Sequence, residues 1–400
     1  MRKILISANC LHTEGGIGGC LYQMILNMYK ISNDFELTLL LFDPTSVAYI
    51  ENLPVKVVLP KKKYDINIST TKLIKNILLL KLPFSLLIHR FLYKFAFRIP
   101  LINDQAFSYN PLNDKYDIAI SYGTIPSYLA SYVAYNVNAT QKIAWAHISV
   151  DQNHSRKYGS KSILRIKDLK NYSSTLKHFN KIYAVSEGVK RSLLSEIDIG
   201  LNVDVFYNFV SKHNIIHKSF EQIDIDKENG CFYLLTVGRL SKEKGIVLLL
   251  ETAKMIKKAG MKFKWFLLGS VDEPDFIKRY INKHNLSSNI IMMGVVKNPY
   301  PYFKMCDLYV HCSYVEGYCT ATNEARIMCK PIVSTEVSGA DEQIHNMENG
   351  IIVHHNSKEI SNAILFLIKN PIQIEYFSKY DMSIDFNNDK STVELRKMLN

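Results

Sequence analysis

Two short stretches carry residue types able to handle a polyanion that also bears hydroxyl groups. The first is Val237-Gly238-Arg239-Leu240-Ser241-Lys242-Glu243-Lys244-Gly245. It follows a β-like apolar run and precedes a helical one, so Arg239 and Lys244 share one loop at a strand's carboxyl end. A guanidinium can fork two phosphate oxygens, and an ammonium adds a compact point charge; a departing diphosphate needs both. The same residues would also suit a solvated turn. The second stretch is Glu316-Gly317-Tyr318-Cys319-Thr320-Ala321-Thr322-Asn323-Glu324-Ala325, with seven residues between its glutamates. A carboxylate can accept hydrogen bonds from two vicinal hydroxyls. Amides at the helix start near Cys319 and Thr320 would face phosphate or sugar oxygens. Paired glutamates are more often surface residues, but Glu324 stands in the apolar context Asn-Glu-Ala-Arg-Ile-Met.

A third feature is Gly15-Gly16-Ile17-Gly18-Gly19, after an apolar run from Lys3 to Ala8. Glycines admit a ligand close to the backbone, and the helix start that follows favours phosphate. A dinucleotide fingerprint would continue GxGxxG, yet Leu21 occupies the third glycine position, which argues against a nicotinamide oxidoreductase. By itself the run also suits a tight strand-to-helix turn.

The elements that would position these residues alternate. Strand-like runs at 3–8, 35–42, 117–121, 142–145, 181–185 and 203–207 are interleaved with helical stretches at 20–29 and 187–195. After the polar stretch 211–230 the alternation restarts. Strands are expected at 232–237, 263–268, 290–293, 307–311, 331–334 and 351–353, with helices at 246–258, 276–284 and 322–329. Such alternation predicts parallel sheets covered on both faces, with ligands at the carboxyl ends of the strands. We therefore expect an α/β protein of two Rossmann-like, doubly wound domains. The boundaries are 1–210, a linker at 211–230, 231–373, and a final segment 374–400.

The 400 residues suffice for two cores, and the 47% apolar and 22% charged composition is that of a folded globular chain. The seven cysteines never form a CxxC pair, which disfavours a disulfide framework or zinc site and predicts a cytoplasmic setting. The apolar run after Met1-Arg2-Lys3 is too short for a signal peptide, and no run approaches a membrane span. The net charge of +12 is concentrated between Lys61 and Arg98, where Arg90, Lys94 and Arg98 form one stripe at helical spacing. Flanking leucines and phenylalanines make this stretch a candidate for an anionic membrane surface, or for a helix that covers a core with a solvated basic face. No nucleic-acid module is visible, so no nucleic-acid partner is expected.

Read in order, VGRLSKEKG, Leu267-Leu268-Gly269, Gly294, Asn298-Pro299-Tyr300, CSYVEGYCTATNEA and KPIVSTEVSGADEQI resemble the family-4 retaining glycosyltransferases of the GT-B fold. GGIGG, Tyr207-Asn208-Phe209 and VSEGVK add to the likeness in the first half. The resemblance implies two domains facing across a cleft. It implies that Arg239 and Lys244 bind a donor diphosphate, that Glu324 holds ribose hydroxyls and that Glu316 meets the donor sugar. Gly238, Gly317, Tyr318, Cys319 and Thr320 would complete that donor site, and Gly16, Gly18 and Gly19 would approach from the other domain. His147, in Ala-Trp-Ala-His, resembles the family's histidine near the reacting carbon, with a packed core histidine as the other reading. The implied partners are a nucleotide-diphosphate sugar, uridine diphosphate favoured, and a lipid-linked or polysaccharide acceptor; no cofactor or metal is expected. The sequence departs from the family's pattern at Cys319 and at Cys329, where glycine is common. A nucleotide-sugar epimerase or sugar phosphorylase on the same fold, and a non-catalytic nucleotide-sugar-binding subunit, stay open.

Overall fold

The computed structural model describes residues 1–11, 16–50, 53–61, 111–125, 127–150, 173–197, 200, 202–380 and 388–400. Of the basic stretch 61–98 it describes only Lys61, so the membrane-binding expectation lies outside the described residues.

Two parallel sheets carry the chain. The first runs through β1 (Arg2–Ala8), β2 (Phe35–Leu41), β3 (Lys56–Val58), β4 (Lys115–Ser121), β5 (Asn138–Ala146), β6 (Lys181–Ala184) and β7 (Val203–Val205), in the order β3-β2-β1-β4-β5-β6-β7. The second comprises β8 (Phe232–Val237), β9 (Phe263–Leu268), β10 (Ile290–Gly294), β11 (Leu308–His311), β12 (Ile332–Thr335) and β13 (Gly350–Val353), in the order β10-β9-β8-β11-β12-β13. Each is doubly wound, with its strand order reversing beside its own first strand, β1 or β8. That is where such sheets open a crevice for ligands. The strands read as continuous apolar runs because both faces are covered: Ile4, Leu5 and Ile6 are fully buried, as are Tyr233, Leu234 and Leu235.

Several expectations need correction. Gly16 to Gly19 do not form a loop; they are the first turn of a helix, Gly16–Ile31. β5 begins four residues earlier than expected, because Thr140 and Gln141 interrupt the apolar pattern while the backbone pairing with β4 continues. The helices at 322–329 and 276–284 are Thr320–Ile327 and Pro274–Lys283. Strand β3 and helix Tyr128–Asn136 were not anticipated. The polar stretch 211–230 holds a helix, Lys212–Lys218, whose Ile215 packs with Tyr233 and Leu235 of the second domain.

The last segment divides. Helix Pro371–Ser378 stays with the second domain, where Phe377 packs beside Leu367. Helix Asn388–Leu399 lies on the first, its Leu395, Met398 and Leu399 buried in that core. Ser391 donates to the Tyr207 carbonyl (2.8 Å) and Arg2 donates to the Leu399 carbonyl (3.0 Å). Among the described residues no helix is long and apolar enough to cross a membrane.

Candidate active site

The loops after β8 and β11 build one wall of the cleft between the sheets. After β8 the chain turns through Gly238 and Arg239, and the Ser241 hydroxyl accepts from the Lys244 amide (3.2 Å). Gly245 then caps helix Ile246–Lys258 at φ +76°, where a Cβ would lie 1.8 Å from the Cys312 carbonyl oxygen. Only glycine fits both the left-handed backbone and this approach, which directs Lys244 toward the β11 loop. After β11, the Thr335 hydroxyl donates to the Ser313 carbonyl (2.6 Å) and shapes the loop carrying Glu316. Helix Thr320–Ile327 follows, and the Gln343 side-chain amide holds both the Cys319 N–H (3.2 Å) and its carbonyl (2.8 Å).

The two domains touch here. A Cβ on Gly317 would sit 2.1 Å from the His147 carbonyl oxygen, so this residue too must be glycine for the walls to meet. The Ser186 hydroxyl donates to the Gly317 carbonyl (2.8 Å), and the Ser149 amide donates to the Glu316 carbonyl (3.3 Å). Glu342 of the second domain accepts from the Glu187 (3.0 Å) and Gly188 (2.9 Å) amides at the start of helix Glu187–Glu196, and from the Tyr207 hydroxyl (2.8 Å). A carboxylate is stabilised at a helix N-terminus, so this contact ties the domains at a point of complementary charge.

A compact charge cluster lies on the cleft floor. The Lys244 ammonium is 2.7 Å from Glu316 Oε1. His311 Nε2 lies 3.1 Å from the same oxygen, a charge contact rather than an aligned hydrogen bond. The ring's other nitrogen, Nδ1, is 3.8 Å from the Cys319 sulfur. Burial alone would raise the Glu316 carboxyl, but the Lys244 and His311 charges outweigh it and hold Glu316 well below the usual carboxylate range. Burial opposes a charged His311, yet Cys319 and Glu316 raise its imidazole to about 10. Burial likewise opposes a charged Lys244, and Glu316 raises it above its ordinary value. Burial would raise the Cys319 thiol, but His311 brings it below its ordinary value. His311, Glu316 and Cys319 offer potential ligand atoms within 4.8 Å of one another. However, the carboxylate and the sulfur face opposite ring nitrogens, and Lys244 already neutralises the carboxylate. The geometry is that of linked ion pairs, not of a chelate.

Glu324 behaves differently. It is 7% exposed and among the described residues meets only the Tyr300 hydroxyl at 3.5 Å, so burial, with help from Cys319, raises its carboxyl to about 8. At neutral pH it is mostly protonated, poised to ionise when hydroxyl donors arrive. His147, at the end of β5, is 6% exposed and lowered by burial to about 3, so it is neutral. Among the described residues its Nε2 has no hydrogen-bond partner, and its ring packs edge-on against Tyr122 (4.6 Å).

The cleft encloses about 660 Å³ and is lined by Gly16 and His147 from one side and by Gly238, Arg239, Lys244, Glu316, Gly317, Tyr318, Cys319, Thr320 and Glu324 from the other. Arg239 is about half exposed, 3.5 Å from both Glu243 and Asp272. Gly19 lines a smaller adjoining recess with Tyr300 and Glu324, whereas Gly18 is buried in its helix and lines neither space. Sequence reasoning missed His311, Tyr300 and Asn208, all of which line the cleft. Asn208 Oδ1 is buried without a partner among the described residues. Their signal was positional: His311 ends a strand beside the switch point, and Asn208 follows the last strand of the first sheet.

Comparison with known proteins places this geometry. Residues 218–382 match the family of glycosyl transferases group 1. The chain is 28% identical over 204 residues to the capsular polysaccharide biosynthesis glycosyltransferase CapM of Staphylococcus aureus, covering 47% of this chain and 52% of that protein. It is 28% identical over 151 residues to an N-acetylgalactosamine-N,N'-diacetylbacillosaminyl-diphospho-undecaprenol 4-alpha-N-acetylgalactosaminyltransferase of Campylobacter jejuni, covering 38% and 40%. The chain thus spans about half the length of the curated relatives it matches. Anabaena Alr3699/HepE, solved in complex with UDP-glucose, superposes with a TM-score of 0.71 at 16% identity, covering 100% of this chain and 99% of that one. Residues 218–382 of this chain are therefore similar to the glycosyl transferases group 1, and the chain as a whole has a two-sheet GT-B fold.

Proposed function

We propose that the chain is a retaining glycosyltransferase that moves a hexose or N-acetylhexosamine from a uridine-diphosphate sugar to a lipid-linked or polysaccharide acceptor. The observation that carries the reading is the assembly, in one interdomain cleft, of Arg239 and Lys244, the amides that open helix Thr320–Ile327, and Glu324. Breaking the bond from anomeric carbon to phosphate builds negative charge on the departing diphosphate. Fixed cations and amide dipoles stabilise that charge more in the transition state than in the ground state. Glu324 would accept the ribose hydroxyls, and Glu316, fixed by Lys244 and His311, would orient the donor sugar. His147, neutral and with a ring nitrogen unpartnered among the described residues, suits a hydrogen bond near the reacting carbon. Retention fits attack from the leaving-group face, the diphosphate oxygen taking the acceptor's proton.

A UDP-glucose complex in a structural neighbour and an undecaprenol-linked acceptor in the name of a relative support the choice of donor and acceptor classes. Such an acceptor would bring the enzyme to the cytoplasmic face of a membrane. The decisive experiment is a nucleotide-sugar panel assayed for nucleoside diphosphate release, with Glu324→Ala in parallel and the anomeric configuration of the product read by NMR. One donor cleaved with retention, and lost in the variant, is expected. Isomerised donor without acceptor, dependence on free phosphate, or binding without cleavage would replace the reading by an epimerase, a phosphorylase or a non-catalytic subunit. Lys244→Ala is expected to lower turnover at least ~10²-fold, as removal of an oxyanion-stabilising donor does; near-normal turnover would sink the assignment.

A further inference from the structure

We propose that Cys319, with His311 and Glu316, is a reactive-thiol site in the cleft that exchanges with low-molecular-weight disulfides. The sulfur lies 3.8 Å from His311 Nδ1, and the ring's opposite nitrogen lies 3.1 Å from the Glu316 carboxylate. Thiol, imidazole and carboxylate are thus in series, the arrangement that makes and orients a thiolate–imidazolium pair. Charge balance agrees. The groups facing the sulfur are His311 and Lys244 on the positive side, Glu316 and Glu324 on the negative side, and the Tyr309 hydroxyl. Glu324 is mostly protonated at neutral pH, and Glu316 is neutralised by Lys244, so the His311 charge is left for the sulfur. The thiol is lowered in consequence, whereas burial raises those of Cys20, Cys306 and Cys312 to about 12. Cys319 is partly exposed and lines the cleft, so a small reagent reaches it.

The step balances. The Cys319 thiolate attacks one sulfur of the disulfide, and the S–S bond breaks. The other half leaves as a thiolate that takes a proton from solvent. The thiolate's electron pair forms the new S–S bond and the old bond's pair leaves with the departing sulfur, so Cys319 is oxidised by one formal step and the departing sulfur is reduced by one. The group added stands between Glu316 and Glu324, in the space assigned above to the donor, so modification closes that space and thiol reduction reopens it.

The test uses the full chain with Cys329, the exposed thiol, replaced by glycine, and glutathione disulfide as the probe. Intact-mass and peptide analysis should find one glutathionyl group on Cys319, removed by dithiothreitol and absent in Cys319→Ser. At pH 6 its rate should exceed that of the denatured chain's cysteines, the net of a larger thiolate fraction and a weaker nucleophile. The rate should level off at a lower pH than that of the denatured chain's cysteines, and His311→Gln should move that levelling-off upward, toward that of an ordinary thiol. Absence of an adduct on Cys319, or a rate in the unmutated protein that levels off no lower in pH than that of the denatured chain's cysteines, overturns the proposal; the second outcome needs no variant to fold. The reactivity stands apart from the transferase reading, and only protection by a nucleotide rests on it. Labelling that uridine diphosphate fails to slow would count against the donor site and leave the thiol site standing.

Discussion

Glu324 illustrates how one residue's environment sets its task. With the Tyr300 hydroxyl at 3.5 Å as its one hydrogen-bond partner among the described residues, its carboxyl is raised by burial to about 8, so it enters the neutral pH range mostly protonated. Two ribose hydroxyls would prefer the ionised form, and binding should then release a proton. Apparent affinity for uridine diphosphate is expected to tighten as pH rises from 6 to 8, by at most tenfold per unit, and to level off above. Calorimetry in buffers of different ionisation enthalpy should show the proton released at pH 7, and Glu324→Gln should abolish both effects. A flat affinity profile in the unmutated protein would remove Glu324 from the ribose site. Glu316 stands at the other extreme, ionised throughout because two cations hold it. Two glutamates of one motif thus carry opposite charge states, a difference invisible in the spacing that revealed them.

At the scale of elements, the site depends on how two helices begin and end. Gly245→Ala would force a Cβ into the Cys312 carbonyl at a left-handed φ, so it should cost at least about 2 kcal/mol in chemical denaturation. It should also lower turnover, because the same turn aims Lys244 at Glu316. Stability within about 0.5 kcal/mol of the parent would contradict the packing described. Cys329 presents the reverse case. It follows helix Thr320–Ile327 at φ 50°, with its amide on the Arg326 carbonyl (2.9 Å) and the Lys330 amide on the Ala325 carbonyl (2.9 Å). This is a helix stop that favours glycine. Cys329→Gly should stabilise by about 0.5–1 kcal/mol, the relief of left-handed strain less the added freedom of the unfolded chain; a shift of the denaturation midpoint to lower denaturant would refute that.

Contacts that stitch the domains together among the described residues include the Gly317–His147 approach, the Glu342 contacts with helix Glu187–Glu196, and the C-terminal helix on the first domain. The last of these crosses from one domain to the other. Leu395, Met398 and Leu399 are buried there, each contributing roughly 1.5–3 kcal/mol. Ending the chain after Tyr380 should therefore cost the first domain several kcal/mol, a large share of the ~5–15 kcal/mol that holds a domain folded. Denaturation followed separately in the two domains should show the first transition moving to lower denaturant and the second unchanged. Parallel movement of both, or of neither, would mean that the helix does not serve the first core.

Alternating apolar runs were legible because a parallel sheet buried on both faces leaves long hydrophobic strands, and the cations and glutamates were legible because they crowd the loops that follow them. Those features of the sequence alone determined two doubly wound domains and the cations and glutamates that line the cleft. What stayed hidden was of other kinds. β3 is three residues long, and Thr140 and Gln141 mask the start of β5. His311 is an ordinary residue until folding sets its two nitrogens beside Glu316 and Cys319, which lie five and eight positions along the chain. Only the tertiary structure decided which glutamate is charged, which histidine is neutral and which cysteine is activated. Those properties come from burial and from neighbours brought together by folding, and local sequence carries neither.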